Sequence, residues 1–213
     1  MVRFITFEGI EGSGKSTQVR LLFEYLKGRS VAAILTREPG GTVIGEKIRS
    51  ILLDPSMQAL IPRAELFLYG AARIQHIDEV IRPAIDDGKI VLCDRFSDAT
   101  VAYQGHGRGI PLSEIKVVDS LVSVDLRPDL TFLLDLPVET GLRRARERNR
   151  SDSASATSRF EEEELEFHRR VREGYLELAV SQRSRMKIIP ADQPVDKVAR
   201  QIEAIVNREL HLT

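Results

Sequence analysis

The chain has 213 residues, the size of one domain with at most a small lid, and its 42% hydrophobic and 30% charged residues provide for a packed core under a solvated surface. With 31 Lys and Arg against 32 Asp and Glu, the formal net charge of −1 excludes a global basic field for nucleic acid, so phosphate binding has to come from local clusters. Cys93 is the only cysteine, which excludes an internal disulfide framework, and no stretch reaches the roughly 20 apolar residues that span a bilayer; with an N-terminal run, MVRFITFEG, too short for a signal peptide, no membrane partner and a cytoplasmic location are expected.

The first predicted strand, Phe4–Phe7, runs into GIEGSGKS at Gly9–Ser16, which fits G-x-x-x-x-G-K-[ST], and a helical pattern follows over Ser16–Lys27. Strand, glycine loop and helix are the context of a P-loop. Glycines let backbone N–H groups turn in on a phosphate with no Cβ in the way, and the helix aims its positive end at the same anion. Lys15 is expected to neutralise the β- and γ-phosphates of ATP and the Ser16 hydroxyl to ligate Mg²⁺; Gly9, Ile10, Glu11, Gly12, Ser13, Gly14 and Thr17 complete the cradle. A second strand, Val31–Leu35, leads into REPGGT at Arg37–Thr42, and the helix predicted over Val43–Leu53 carries Arg49. A long helical pattern over Ala64–Asp87 holds Tyr69 and Arg73 one turn apart on one face, with Phe67 read as core. The third strand, Ile90–Cys93, is continuously apolar, as burial on both sheet faces requires. It ends at Asp94, the place for a carboxylate that holds Mg²⁺ directly or through water, and Arg95 follows.

Helical patterns at Leu112–Ser123, Val138–Arg148, Glu161–Gln182 and Pro194–Leu210 then alternate with strands at Leu130–Leu134 and Lys187–Ile189. Such alternation implies parallel strands joined by right-handed helical crossovers. The expected fold is α/β, a three-layer, doubly wound, parallel five-stranded sheet of the P-loop NTPase type, as a single kinase domain over residues 1–213 with a mobile lid at about 143–160. The lid rests on charge density: Arg143, Arg144, Arg146, Arg148 and Arg150 precede the small polar stretch SDSASATS at Ser151–Ser158, and Arg159 follows it. Like charges repel in a fixed arrangement, whereas closure over a polyphosphate would use them. The competing reading is a solvated basic helix end paired with Glu161–Glu164. Ligands of doubly wound sheets bind beyond the carboxyl ends of the strands, so Arg37, Arg49 and Arg95 are candidates to hold a second phosphate. Any one of them alone would read as a surface ion pair. The set, with the lid, speaks for a phosphotransferase against a P-loop switch that hydrolyses ATP without an acceptor.

The sequence closely resembles bacterial thymidylate kinases. The resemblance rests on FEGIEGSGKST at Phe7–Thr17, TREPGGT at Thr36–Thr42, AARIQ at Ala71–Gln75, DRFSDATVAYQG at Asp94–Gly105 and RPDLTFLLDLP at Arg127–Pro137, and runs from Phe4 to about Pro194. It implies transfer of the ATP γ-phosphoryl group to dTMP with Mg²⁺ as cofactor. Arg49 and Arg95 look like the acceptor-phosphate pair, with Arg37 close by. Arg73, Thr100 and Gln104 look like base contacts, Tyr69 like the ring against the base, Tyr103 like the residue that crowds the sugar, and Glu11 like the acidic sugar contact. Arg148 and Arg159 sit nearest the family's lid pattern, although SDSASATS replaces its usual Gly-Glu-Leu-Asp-like turn. Both are expected to be catalytic with Lys15 and Arg95, and Arg143 to reach ATP. A homodimer through the helices around Ala64–Asp87 is likewise implied by the resemblance.

Overall fold

The computed structural model describes residues 2–123, 125–151 and 159–212. Five parallel strands, β1 (Phe4–Glu8), β2 (Ala33–Arg37), β3 (Ile90–Asp94), β4 (Leu130–Asp135) and β5 (Met186–Pro190), form one sheet in the order β2-β3-β1-β4-β5. Period-2 alternation sends Ile5, Phe7, Leu92, Phe132 and Leu134 to one face. There Val19, Leu22 and Leu26 of α1 (Lys15–Gly28) and Val198, Ile202 and Val206 of α9 (Val195–Leu210) cover them, each set at helical spacing. Phe4, Val91 and Cys93 point to the opposite face, against Ile77, Ile81 and Phe96. Burial of these strands on both faces explains their unbroken apolar runs.

All five predicted strands are present, β2 two residues later than expected. Ser30 takes a left-handed conformation (φ 59°) and Val31 N–H bonds the Leu26 carbonyl at 3.0 Å, so these residues terminate α1 instead of opening a strand. Helices α2 (Val43–Leu53) and α6 (Leu112–Ser123) match their expected bounds. The long helix over Ala64–Asp87 divides into α3 (Pro62–His76), a π turn at Ile77–Ile81 and α4 (Arg82–Asp86). Pro83 lacks an N–H and crowds the carbonyl four residues back, which widens the preceding turn. Phe67 is not core: it is 64% exposed, because α3 buries its opposite face.

One helical segment has no counterpart in the sequence reading. Residues Ser97–Thr100 form α5, continued by a π turn over Val101–Gly107 that packs on α8 (Leu165–Ser181). Its small residues and two glycines hide the helical signal. The glycines are there for close approach: a Cβ on Gly105 would stand 2.6 Å from Leu112, and one on Gly107 2.7 Å from Phe167. Helix α7 spans Val138–Ser151, and a 3₁₀ turn at Arg159–Glu162 precedes α8, so the expected helix from Glu161 starts later. The rest of the expected lid, 152–158, lies outside the described residues.

Candidate active site

Strand register sets the site. Phe7 of β1 and Arg37 of β2 both pair with Asp94 of β3, so three chain segments leave the sheet at one edge: the glycine loop, the Glu38 segment and Arg95. In the loop Gly9, Gly12 and Gly14 adopt φ of 137°, 71° and 92°, a region closed to most side chains. A Cβ on Gly12 would meet the Gly141 carbonyl oxygen of α7 at 2.0 Å. Lys15 bends over the loop and donates from Nζ to the Gly9 and Ile10 carbonyls at 2.9 and 2.8 Å. Burial, assisted by the Arg95 charge, lowers its pKa to about 8. Ser16 Oγ donates to Asp94 Oδ2 at 2.5 Å, which joins the two expected metal ligands in one hydrogen bond. No cluster of three or more His, Cys, Asp or Glu side chains fit to hold a metal occurs among the described residues.

A crevice of about 510 Å³ opens from this edge. Glu11, Gly12, Gly14, Lys15, Ser16 and Thr17 of the glycine loop line it, while Gly9, Ile10 and Ser13 are buried in the loop. Arg95 crosses the middle. Its backbone is left-handed (φ 73°) and its N–H bonds the Phe7 carbonyl at 3.0 Å, so the side chain is aimed back over β1. The guanidinium donates to Glu11 Oε1 at 3.1 Å, the Tyr103 hydroxyl at 2.9 Å and the Tyr175 hydroxyl at 3.2 Å. Burial alone would raise the Glu11 pKa. His168, whose Nδ1 lies 3.4 Å from Oε2, together with Arg95 and Lys15 outweighs burial and holds the carboxyl below its ordinary range. Arg49 also lines the crevice and donates to the Pro39 carbonyl at 2.9 Å.

Arg73, 3% exposed, marks the far end. Its Nε donates to Glu38 Oε2 at 2.8 Å and its Nη2 to Thr100 Oγ1 at 3.0 Å, and the guanidinium lies 5.0 Å from the Phe96 ring centroid. His76 braces the other Glu38 oxygen at 3.0 Å. Tyr69, Tyr103, Thr100 and Gln104 line the same crevice.

Three expected site arginines stand elsewhere. Arg37 is half exposed and turned to Glu46 at 2.9 Å, because Glu46 also accepts the Gly41 N–H at 3.0 Å and draws Arg37 to the turn. Arg143 faces Glu147 at 4.0 Å in an exposed i,i+4 pair, beside Arg146 and Arg150 in a separate groove. Arg159 is buried and donates to Glu65 Oε2 at 2.5 Å and to the Leu52 carbonyl at 3.3 Å, so it does not line the crevice. Of the arginines expected in the lid Arg148 does, with its Nη2 on Glu161 at 3.1 Å. Arg144 instead bonds the Ala191 carbonyl at 3.1 Å and Asp192 at 3.2 Å. The sequence reading passed over Arg20, Phe96, Phe160 and Glu161 in the lining and Glu38 and Tyr175 as supports. Glu38, inside REPGGT, and Phe96, inside DRFSDATVAYQG, lay in quoted motifs, and Glu161 in the acidic run set against the basic cluster; Arg20, Phe160 and Tyr175 carried no signal.

A family model described as thymidylate kinase matches residues 7–202. The thymidylate kinase of Trichlorobacter lovleyi is 53% identical over 206 residues, 96% of this chain and 97% of that protein. The thymidylate kinase of Syntrophotalea carbinolica is 50% identical over 209 residues, 98% of this chain and 97% of its own. The crystal structure of thymidylate kinase from Ehrlichia chaffeensis superposes with a TM-score of 0.76 at 35% identity, covering 97% of this chain and 98% of that one.

Proposed function

The chain belongs to the thymidylate kinase family, and from that premise we infer that it transfers the γ-phosphoryl group of ATP to the phosphate of dTMP, giving ADP and dTDP. The observation that carries the site assignment is the sheet edge where the Ser16–Asp94 pair and the Arg95 fork stand one residue apart in sequence. In this reading the glycine loop takes the donor's phosphates, Arg95 in the middle the acceptor's phosphate, and the far end the acceptor's base, an order that suits direct transfer.

In this scheme Lys15 leaves the loop carbonyls for the β- and γ-phosphates. Ser16 and Asp94 would offer the hard oxygen ligands that suit Mg²⁺. Held there, Mg²⁺ would supply positive charge to offset the negative charge that develops on the transferring phosphates. Arg95 and Arg49 hold the acceptor phosphate. Arg37 serves them indirectly, by fixing the Gly40–Gly41 turn through Glu46. Arg73, Thr100 and Gln104 address the base, with Tyr69 against its face, and Glu11 and Tyr103 face the sugar. A guanidinium donor at Arg73 suits a thymine carbonyl and opposes the exocyclic amines of cytosine and adenine. Arg148 is the lid cation, and Glu161 holds it beside the crevice. The acceptor phosphate is ionised at neutral pH, so no strong general base is required.

The proposal extends to one catalytic domain with a lid at about 143–160, a cytoplasmic location and a homodimer. No helix among the described residues is long and apolar enough to cross a membrane. A coupled ADP-release assay with ATP, Mg²⁺ and a panel of monophosphates tests the reading. Turnover should depend on dTMP, whereas a P-loop switch would release ADP with no acceptor present.

A further inference from the structure

Glu65, in the first turn of α3, is fully buried, and the scheme above gives it no role. Its carboxylate gathers donors from distant parts of the chain. Gln104 Nε2 donates to Oε1 at 2.8 Å and Arg108 Nε to the same oxygen at 3.3 Å. Arg159 Nη2 donates to Oε2 at 2.5 Å. Arg108 Nη1 continues to Glu163 at 2.6 Å, so Arg108 lies between two carboxylates, whereas Arg159 lies between Glu65 and the Leu52 carbonyl. Gln104 and Arg108 belong to the π turn and its end, whereas Arg159 opens the 3₁₀ turn on the lid's return.

Two consequences reach the crevice. A carboxylate only accepts, so Gln104 has to present its NH₂ to Glu65, which fixes the orientation of an amide that lines the base end. Anchoring Arg159 also seats the next two residues, Phe160 and Glu161, in the crevice wall. Phe160 stands edge-on to Tyr103 at 5.6 Å and 6.5 Å from Tyr69, with the Arg159 and Arg108 guanidinia 5.0 and 5.5 Å from its centroid. A buried carboxylate is tolerable only while its oxygens are filled, so neutralising Glu65 frees all these groups together.

We propose that Glu65 is a positioning residue for the acceptor: through Gln104, and through Phe160 by way of Arg159, it holds the base end of the crevice and the return of the lid as one unit. Arg159 acts through Phe160 and not on the transferring phosphoryl group. The proposal rests on reading the crevice as the dTMP site.

Glu65→Gln and Arg159→Met, singly and combined, test it on the full chain, with KM for dTMP, KM for ATP, kcat and thermal midpoint measured for each. Either single variant should raise the KM for dTMP about tenfold or more, as slight misplacement of substrate-facing groups does, and leave the KM for ATP within about twofold. The double variant should be no worse than the more severe single, because both break one link. Arg159→Lys, which keeps a cation on Glu65, should recover part of what Arg159→Met loses, and it carries the test with Arg159→Met if Glu65→Gln does not fold. Both KM values moving together, or neither moving, would overturn the proposal by leaving Glu65 a general support. A large fall in kcat for Arg159→Met at unchanged KM values would also overturn it, by making Arg159 the transition-state cation. A wild-type enzyme that ignored dTMP would overturn the crevice assignment itself, a result distinct from every variant outcome.

Discussion

Arg95 concentrates the residue-scale argument. Its left-handed backbone and its three acceptors, Glu11, Tyr103 and Tyr175, fix the fork before any acceptor arrives. Arg95→Ala should therefore weaken acceptor use far more than ATP binding, lowering kcat/KM for dTMP by about 2–4 kcal/mol of transition-state stabilisation. Steady-state kinetics with each substrate varied in turn reads the asymmetry; a raised KM for ATP with dTMP unaffected would invert the site map. Lys15 gives a pH test. Burial lowers its pKa from 10.5 to about 8 in the folded chain. Between those values the unfolded chain binds more protons than the folded one, so this group adds stability as pH rises through the window and loses it as pH falls to about 8. Urea midpoints of the ligand-free protein at about pH 8 and about pH 10 should show wild type gaining on Lys15→Met; a constant difference would mean that Lys15 keeps its ordinary affinity for protons.

At the scale of elements, the decisive contact lies between the π turn over Val101–Gly107 and α8. Tyr103 from the first and Tyr175 from the second both reach Arg95, so their spacing sets the phosphate fork. That spacing depends on Gly107, whose missing side chain lets Phe167 and Val171 approach to where a Cβ would meet them at 2.7 and 2.9 Å. Gly107→Ala should destabilise the fold by about 1–3 kcal/mol, the usual effect of overfilling a packed contact. It should also raise the KM for dTMP. Chemical denaturation with the coupled assay measures both, and an unchanged midpoint would mean that α8 moves aside freely.

At the scale of the molecule, one apolar surface stays open. Phe67 on α3 is 64% exposed, and Val117 and Leu121 on the adjoining α6 are 61% and 72% exposed. Large apolar side chains gathered on neighbouring helices mark an interaction surface. If that surface joins two copies, as the proposed homodimer requires, Leu121→Glu should shift the protein to monomer in sedimentation velocity while the wild type stays dimeric. A monomeric wild type would remove the dimer from the scheme. The same surface shows where the sequence reading failed: Phe67 lies in an apolar helix, but periodicity ranks faces and does not say which face meets the core.

The sequence by itself determined the strands and the P-loop, because these depend on neighbours in the chain, whereas most other crevice residues were legible only through the family resemblance. Continuous burial of a strand on both faces, glycines at positive φ and an Asp at a strand end are local requirements, visible as local patterns in Phe4–Glu8, Gly9–Ser16 and Ile90–Asp94. Arginine roles were less legible, since a guanidinium goes to whichever carboxylate the fold brings near. Arg37 and Arg159 carry the same charge as Arg49 and Arg148, yet Glu46 and Glu65 hold the first pair away from the crevice that the second pair lines. Glu65 lies 94 positions from Arg159, a separation no spacing rule spans. Only the tertiary structure decided which cations line the crevice and which are turned to carboxylates away from it, because long-range ion pairs follow from the packing of elements and leave no periodic trace in the chain.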